Sequence, residues 1–358
     1  MLEALAREPP ADVELVCAAP AALATYSGMV PGVLGRRYAL REAQIDLRRL
    51  TERAGGRFVA ASAVGLDAGA RTVGLSDGTP LAYNWASFDI GSRAAPVAPT
   101  APDAPLVAIK PIDAAVVAID ATIAACPSAR AVVIGAGAGG CEVALALAAR
   151  LRPCGGQVHL CDRAARPLPG FAPRAVAVME QALANAGVAW LGARGVAALT
   201  ATAVGLDDGT LLRAELIVAA TGAIGADLFT DAGLPVDARG FLLVDETLRC
   251  RTHPEIFAAG DCATIDTAAE VPKSGVYAVR QGPILAANLR AALRGAPLQP
   301  FRPQPRALAL LNTADGRAIL TYGPIAVHTR WAWHLKNWID RRFVRRFDAA
   351  SVSSVVNG

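Results

Sequence analysis

No Cys-x-x-Cys pair occurs in this chain, although it carries seven cysteines, at positions 17, 126, 141, 154, 161, 250 and 262. An odd, scattered set excludes a dithiol redox centre and a disulfide framework, and it points to reduced thiols in a cytoplasmic setting. Charge is scarce as well. Charged residues make up 18%, and 35 Lys and Arg against 31 Asp and Glu leave a net +4. That is too mild for a nucleic-acid binder, so no nucleic-acid partner is expected. There is no apolar run long enough and free enough of charge to span a bilayer, and the N-terminus has neither the basic nor the apolar stretch of a secretion signal. The four histidines (His159, His253, His328 and His334) lack metal-ligand spacing, so no metal is expected. What the chain does have is a 53% hydrophobic share over 358 residues. That excludes disorder and suits two or three domains.

The most informative feature is an internal repeat. Leu75-Ser76-Asp77-Gly78-Thr79-Pro80-Leu81 matches Leu206-Asp207-Asp208-Gly209-Thr210-Leu211-Leu212, each an Asp-Gly turn between short β-type stretches. Gly91 follows Gly78 by 13 residues (91 − 78), and Gly222 follows Gly209 by 13 (222 − 209). Each glycine closes a strand-like stretch, Phe88–Ile90 in one copy and Leu216–Ala219 in the other. Equal spacing downstream of equal turns implies two copies of one unit.

The second copy is complete. A strand candidate at Ala131–Ile134 runs into Gly135-Ala136-Gly137-Ala138-Gly139-Gly140, a helical pattern from Cys141 to Leu151, and a strand, Gln157–Cys161, ending at Asp162. Strand, G-x-G-x-x-G, helix, strand and acid in this order make a dinucleotide-binding βαβ unit. Gly135 permits the tight turn, Gly137 lets the backbone approach a pyrophosphate, and Gly140 lets helix and strand close up. The helix N-terminus offers free N–H groups to the phosphates. Asp162 is placed to accept from a ribose 2′-OH. Its carboxylate would repel a 2′-phosphate, which favours NADH over NADPH, although Arg163 beside it weakens the preference.

The first copy is not complete. Val13-Glu14-Leu15 matches Val158-His159-Leu160 at an offset of 145, and Leu2–Arg7 then corresponds to Leu147–Arg152. The same offset puts the counterparts of Gly135 and Gly140 at −10 and −5. The first strand and glycine loop therefore fall before Met1. Either the start codon lies upstream or this unit is truncated.

With these residues assembled, the chain resembles the FAD-dependent pyridine nucleotide-disulfide oxidoreductase superfamily. A second signature of that superfamily stands at Ile256-Phe257-Ala258-Ala259-Gly260-Asp261-Cys262-Ala263, and Ala219-Ala220-Thr221-Gly222 resembles its strand-to-glycine crossover. Lacking the dithiol, the chain is more similar to the type II NADH dehydrogenase and sulfide:quinone oxidoreductase branch. It is most similar to the reductase-like protein associated with or fused to selenophosphate synthetase. That likeness is carried by Tyr26–Gly32, Ile45–Arg48, Asp89–Ser92, Lys110–Ile112 and Pro272–Pro283.

The resemblance implies an α/β fold of two Rossmann-like three-layer (ββα) dinucleotide-binding domains. The NAD domain (104–237) would be inserted in an FAD domain (1–103 and 238–299) that lacks its first strand and glycine loop, with a small C-terminal region at 300–358. It implies an FAD-dependent NADH:acceptor oxidoreductase, hydride passing from NADH to flavin N5 and then to a quinone or other small electron acceptor. Two alternatives stay open: a selenium-metabolism reductase partnered with selenophosphate synthetase, and a truncated, non-catalytic NAD-binding protein.

By the same resemblance, Gly135, Gly137, Gly140, Glu142, Asp162 and Gly222 serve NAD. Gly91, Gly260, Asp261, Lys273 and Ser274 serve FAD, with Asp261 on the ribitol. Lys273 and Ser274 open a helix-like stretch to about Leu293 whose N-terminus would stabilise a reduced flavin. Lys110 matches a lysine near the flavin, and Gln281 a glutamine facing the quinone; these two are the catalytic candidates. Tyr26–Arg49 lies in an excess of 14 residues (62 − 48) between strand leucine and turn aspartate in the first copy.

After a Pro-rich boundary at Pro300, Pro303 and Pro305, β-like stretches at Leu308–Asn312 and Ala318–Gly323 precede a helical pattern over 330–347. Trp331, Leu335, Trp338, Ile339, Phe343 and Phe347 share one half of its wheel. Six basic residues and one acidic residue give this segment +5. A basic helix with an aromatic face is suited to the surface of an anionic bilayer, here the inner face of the membrane.

Overall fold

The computed structural model describes residues 1–10, 12–266 and 271–348; Ala11, 267–270 and the last ten positions of the expected C-terminal region lie outside the described residues. The chain opens on a short helix, α1 (Leu2–Arg7), followed by β1 (Val16–Ala19), α2 (Val30–Leu34), α3 (Leu47–Arg53) and β2 (Arg57–Ala60). A meander, β3 (Ala63–Asp67), β4 (Thr72–Leu75) and β5 (Pro80–Ala82), leads to β6 (Ala86–Phe88). Then come β7 (Leu106–Ala108), α4 (Ile112–Ala125), β8 (Arg130–Ile134), α5 (Ala138–Leu151), β9 (Gln157–Cys161), α6 (Pro173–Asn185) and β10 (Val188–Leu191). A second meander, β11 (Val196–Leu199), β12 (Ala203–Leu206) and β13 (Leu211–Arg213), precedes β14 (Leu216–Ala219) and, further on, β15 (Ile256–Ala258). The long α7 (Gly275–Leu293), the strands β16 (Ala309–Asn312), β17 (Ala318–Tyr322) and β18 (Ile325–Thr329), and α8 (Arg330–Arg345) complete the order used below.

Strands β7, β14, β8, β9 and β10 form one parallel sheet in that spatial order. Its middle strands are continuous apolar runs because both faces are covered, one by helices α4, α5 and α6 and the other by the second meander described above. Ala131, Val132, Val133, Leu216, Ile217 and Val218 are all fully buried. Helix α5 packs its alanine and leucine stripe on this sheet, with Leu145, Leu147 and Leu151 at 1% exposure or less.

The duplication is visible in detail. Thr79 N–H donates to Asp77 Oδ1 and Thr210 N–H to Asp208 Oδ1, both at 2.9 Å. The turn glycines Gly78 and Gly209 have φ of 86° and 84°. Both meanders carry an irregularity in their first strand, between Ala63 and Gly65 in one and between Val196 and Ala198 in the other. The first unit, however, has two separate parallel pairs, β1 with β2 and β6 with β15. Residues 86–88 and 256–258, far apart in sequence, are thus neighbours in one sheet.

Several expected boundaries shift. The first strand is Val16–Ala19, so Val13-Glu14-Leu15 lies ahead of it. Aligning the strand ends Ala19 and Cys161 gives an offset of 142 (161 − 19), and Gly135 and Gly140 still map before Met1, at −7 and −2. The strand expected at Phe88–Ile90 is Ala86–Phe88, with Asp89 and Gly91 in the loop that follows. The C-terminal β-like pair is a three-stranded antiparallel meander whose last strand, β18, follows the two-residue turn Gly323-Pro324, with Gly323 at φ 56°.

The face of α8 is the larger correction. Its buried residues are Ala332, Lys336, Asp340 and Val344, while Trp331 and Trp338 are 63% and 59% exposed. Phe343 turns inward and packs on Tyr26, ring centroids 4.5 Å apart. A wheel ranks residues by hydrophobicity and cannot see that Lys336 finds polar partners beneath it.

Truncating Leu147 to alanine should cost about 2–5 kcal/mol, because the side chain is wholly enclosed between helix and sheet. Denaturant unfolding checks this, and a loss under about 1 kcal/mol would show that α5 is not seated as described.

Candidate functional site

The glycine cradle at the end of β8 is shaped by contact. Gly135 has φ 105°, and a Cβ there would lie 2.4 Å from the Ala220 carbonyl oxygen; one on Gly140 would lie 1.8 Å from that of Gly135. Neither position admits a side chain, and this closeness lets α5 start right beside β8 and β14. Gly137 is the N-cap of α5 and Gly139 lies in its first turn, and a Cβ on either would meet nothing within 4 Å, nor would one on Gly222. The cradle therefore opens outward at a helix N-terminus, which is the geometry a pyrophosphate needs. Asp162 ends β9 and reaches back: Oδ2 accepts from Ala136 N–H and Oδ1 from Ala164 N–H, each at 2.7 Å. A fixed carboxylate at the cradle's edge retains lone pairs for a ribose hydroxyl. Arg163 lies alongside Gly195, next to Asp207. The glycines and Asp162 thus leave room for a dinucleotide at this end.

The second centre gathers residues far apart in sequence. Asp261 sits in a 3-10 turn after β15, and its Oδ2 is 3.1 Å from Lys110 Nζ and 3.4 Å from Ser92 Oγ. Lys110 also donates to Ser92. Gly91 (φ 68°) turns the chain after β6, and Gly260 (φ 72°) turns it after β15, where a Cβ would meet Asp89 Oδ1 at 2.7 Å. Asp89 is exposed on one side, yet the surrounding protein crowds its carboxyl enough to raise its pKa, with the Met1 amino group opposing the effect and Asp261 adding to it. Gly91, Gly260, Asp261 and Lys110 are brought together. Ser92, quoted within a motif but given no role, joins them.

The residues at the start of α7 are arranged differently from their expected roles. Ser274 is at the N-cap, but its side chain accepts no capping hydrogen bond. Lys273 turns back on the sheet, donating to the Ala263 carbonyl and to Thr264 Oγ1 (2.8 Å), with its ammonium 4.2 Å from the Phe241 ring centre. Burial lowers its pKa, against the pull of Asp237. Gln281 is buried, and its Oε1 accepts from Gly260 N–H at 2.5 Å. In this arrangement the amide steadies the Gly260 turn. Lys273, Ser274, Tyr277 and Gln281 nevertheless line a common cleft with Gly260 and Asp261.

Glu142, in the first turns of α5, reaches the C-terminal region. Its Oε1 accepts from Asn312 N–H at 2.6 Å. Nearby, Lys336 Nζ donates to the Gly28 carbonyl at 2.8 Å and pairs with Asp340 at 3.0 Å. Burial pushes the Glu142 carboxyl up to about 7, partly offset by Lys336. Burial likewise raises Asp340, again opposed by Lys336. Sequence reasoning missed this cluster. Its one readable signal is the i, i+4 spacing of Lys336 and Asp340.

A carboxyl whose folded-state pKa lies above its ordinary 4.5 binds more protons folded than unfolded between the two values, so its contribution favours folding less as pH rises from about 4.5 to about 7. Glu142→Gln should flatten this part of the stability profile by about 1–3 kcal/mol. Denaturation at pH 5 and pH 7.5 measures it; a profile unchanged by the substitution would show that Glu142 is an ordinary surface acid.

Among known proteins, the profile of the pyridine nucleotide-disulphide oxidoreductases matches residues 7–282, more than half of the chain. The nitric oxide reductase FlRd-NAD(+) reductase of Aeromonas salmonicida is 38% identical over 141 residues, 37% of this chain and 34% of that protein. An alternative NAD(P)H-ubiquinone oxidoreductase C1 of Arabidopsis thaliana is 39% identical over 71 residues, 19% of this chain and 14% of that protein. The chain thus spans about a third or less of the length of these two relatives. Among solved structures, the sulfide:quinone oxidoreductase of Aquifex aeolicus superposes with a TM-score of 0.79 at 18% identity, over 98% of this chain and 90% of that one. NDH2 of Plasmodium falciparum, solved with NADH, gives 0.81 at 12% identity over 96% and 94%. At such identities the structures speak to the fold, which is the expected α/β arrangement with Rossmann-like parallel sheets. The extent of the profile match shows that the chain belongs to the pyridine nucleotide-disulphide oxidoreductase family, oxidoreductases that work with FAD and NAD(H).

Proposed function

We propose that this chain is an NADH:acceptor oxidoreductase of the type II NADH dehydrogenase kind, with a lipid-soluble quinone as acceptor. The observation that carries the reading is the pairing of an outward-opening glycine cradle at Gly135–Gly140 with a separate Asp261–Lys110–Ser92 centre. One centre suits a nicotinamide dinucleotide, the other the sugar-alcohol end of a flavin. Gly137 and the first turn of α5 would hold the NADH pyrophosphate, and Asp162 its ribose. Asp261, steadied by Lys110, would hold the ribitol. A bound FAD supplies two-electron chemistry between hydride donor and acceptor. The fit to FAD is partial, however: among the described residues, the first unit has no counterpart of Gly135–Gly140 for the flavin's pyrophosphate.

The acceptor reading draws on α8. Trp331 and Trp338 stand out from it, Arg342 lies over the Trp338 ring at 5.5 Å, and Arg345 and Arg346 are exposed on the last turns. Exposed indoles next to guanidinium groups suit the headgroup layer of an anionic membrane, where a quinone is found. Among the described residues no helix is long and apolar enough to cross a membrane, so this contact would be peripheral. A partnership with selenophosphate synthetase rests on the sequence resemblance alone.

Supplied with FAD and NADH without oxygen, the protein should bleach its flavin band, and a short-chain quinone should restore it; protein that binds NADH but takes up no FAD would favour the non-catalytic reading. Gly140→Ala should weaken NADH binding at least about tenfold, because the added methyl collides with backbone. Asp162→Ala should shift the NADH-to-NADPH affinity ratio toward NADPH by removing a charge that repels the 2′-phosphate. Titration calorimetry reads both, and an unchanged ratio would remove Asp162 from the ribose site. Sedimentation with vesicles of phosphatidylcholine and phosphatidylglycerol should fall on joint Trp331→Ala and Trp338→Ala substitution. Equal binding by the variant would assign that face to a protein contact.

A further inference from the structure

A cavity shares no lining residue with the glycine cradle or the Asp261 centre. It lies where residues 41–49, at the end of the extra stretch in the first copy, meet the last turns of α8, and it is a notch of about 220 Å³. A water's share of liquid volume is about 30 Å³, and pockets that enclose drug-sized molecules run to about 300–1,000 Å³. The notch therefore suits a small charged group and is too small for a dinucleotide.

The two signs of charge in its lining do different work. The acids hold the scaffold. Glu42 Oε2 accepts from Ala39 N–H at 2.8 Å, which fixes the 3-10 turn Leu40–Ala43, and Glu42 Oε1 meets Arg341 Nη1 of α8 at 2.7 Å. These contacts, the Ala39 bond foremost, hold the Glu42 carboxyl below its ordinary pKa, so it stays charged and paired. Asp46 Oδ1 caps α3 by accepting from Arg49 N–H at 2.9 Å. The bases are left over. Among the described residues, the exposed guanidinium groups of Arg41 and Arg49 meet no carboxylate, carbonyl or ring. Both stand on elements those acids fix, and between them the strand Gln44–Asp46 pairs with Leu23–Thr25. The wall that α8 supplies is partly hydrocarbon, with Val344 buried and Phe347 half-buried. Guanidinium donors on one wall and hydrocarbon on the other fit a phosphate that carries a carbon substituent better than a bare ion.

We infer that this notch binds the anionic phosphate of a phosphate ester, with Arg41 and Arg49 supplying the donors. A lipid headgroup and a soluble ester share that chemistry. Continuity with the exposed face of α8 favours the lipid. Arg345 lines the notch, is exposed, and follows Trp338 by 7 residues (345 − 338), which puts both on one side of the helix. Indoles settle at headgroup depth, so a bilayer that engages Trp338 brings its phosphates to the mouth of the notch. The lipid source rests on the membrane reading of α8, whereas the phosphate site rests on the lining alone.

Two probes separate the sources: glycerol 3-phosphate in titration calorimetry, and phosphatidylcholine vesicles with and without phosphatidylglycerol in sedimentation. In the full chain, joint Arg41→Gln and Arg49→Gln substitution should leave melting unchanged and weaken binding of glycerol 3-phosphate, of the phosphatidylglycerol vesicles, or of both at least about tenfold. Joint Arg213→Gln and Arg294→Gln substitution removes the same charge at exposed positions outside the notch and should change binding less than about twofold. Equal loss in the two double variants overturns the site, since diffuse charge then accounts for the binding. Binding unchanged in the notch variant, or absent for both probes in the parent chain, overturns it as well. Glycerol 3-phosphate binding that the notch variant loses, in a chain that sediments with no vesicle, upholds the site for a soluble ester and removes the membrane reading. Vesicle binding that needs Trp331 and Trp338 but not the notch arginines, with no glycerol 3-phosphate bound, keeps the membrane reading and overturns the site.

Discussion

A parallel sheet covered on both faces, here by helices on one and a β-meander on the other, depends on its central strand, because only that strand satisfies the inner edges of two neighbours at once. Arg130–Ile134 does so here, bonded to β9 on one side and β14 on the other. Its last residue delivers the chain to Gly135 at the point where β14 ends at Ala219. Cradle, acid and crossover meet there because three strands stop together. The fully buried run Ala131–Val133 and the forced glycines 135 and 140 are two consequences of one constraint. Helix and sheet must approach to backbone contact for the helix N-terminus to face a ligand.

The first unit repeats part of this architecture among the described residues. The flanking pairs keep their parallel register, and the meander keeps its turn and even its irregularity. The Asp261–Lys110–Ser92 centre also forms, because its parts come from the ends of β6 and β15 and the loop before α4. The pyrophosphate end is different in kind: its donors are backbone groups of the glycine turn, and no side chain elsewhere substitutes for them. A flavin site of this kind would thus draw on side chains at one end and on main chain at the other.

Features fixed by local spacing were legible in the sequence. The second unit's strands, its helix to Leu151, and the turns at Gly78 and Gly209 were read from glycine placement and apolar runs, and the structure has them within a few residues. The register of β1 was not, since Val13–Leu15 and Val16–Ala19 are both apolar enough to serve and only pairing with Arg57–Ala60 chooses between them. Side-chain direction was the other loss. Gln281, Lys273 and Glu142 each occupy the position the resemblance gives them, yet each turns to a backbone partner brought in from elsewhere: Gly260, Ala263 and Asn312. A linear motif specifies where a residue lies along the chain, and tertiary neighbours decide which way it faces.

The C-terminal helix illustrates how polar burial can override a wheel. Lys336 and Asp340 are taken inside because each is met by the other, and Lys336 also by the Gly28 carbonyl, so the desolvation cost of each charge is offset locally. Once they face inward, geometry rotates Trp331 and Trp338 outward, since residues five and two positions from Lys336 fall on other sides of a helix. The inward face also brings α8 against the insert at Tyr26–Gly32 and, through Asn312 on β16, into contact with Glu142 of the dinucleotide helix. The exposed indoles and the Glu142 carboxyl are therefore linked through one rigid element. The inner face of α8 lies on the C-terminal meander, and Asn312 of that meander holds Glu142 of α5.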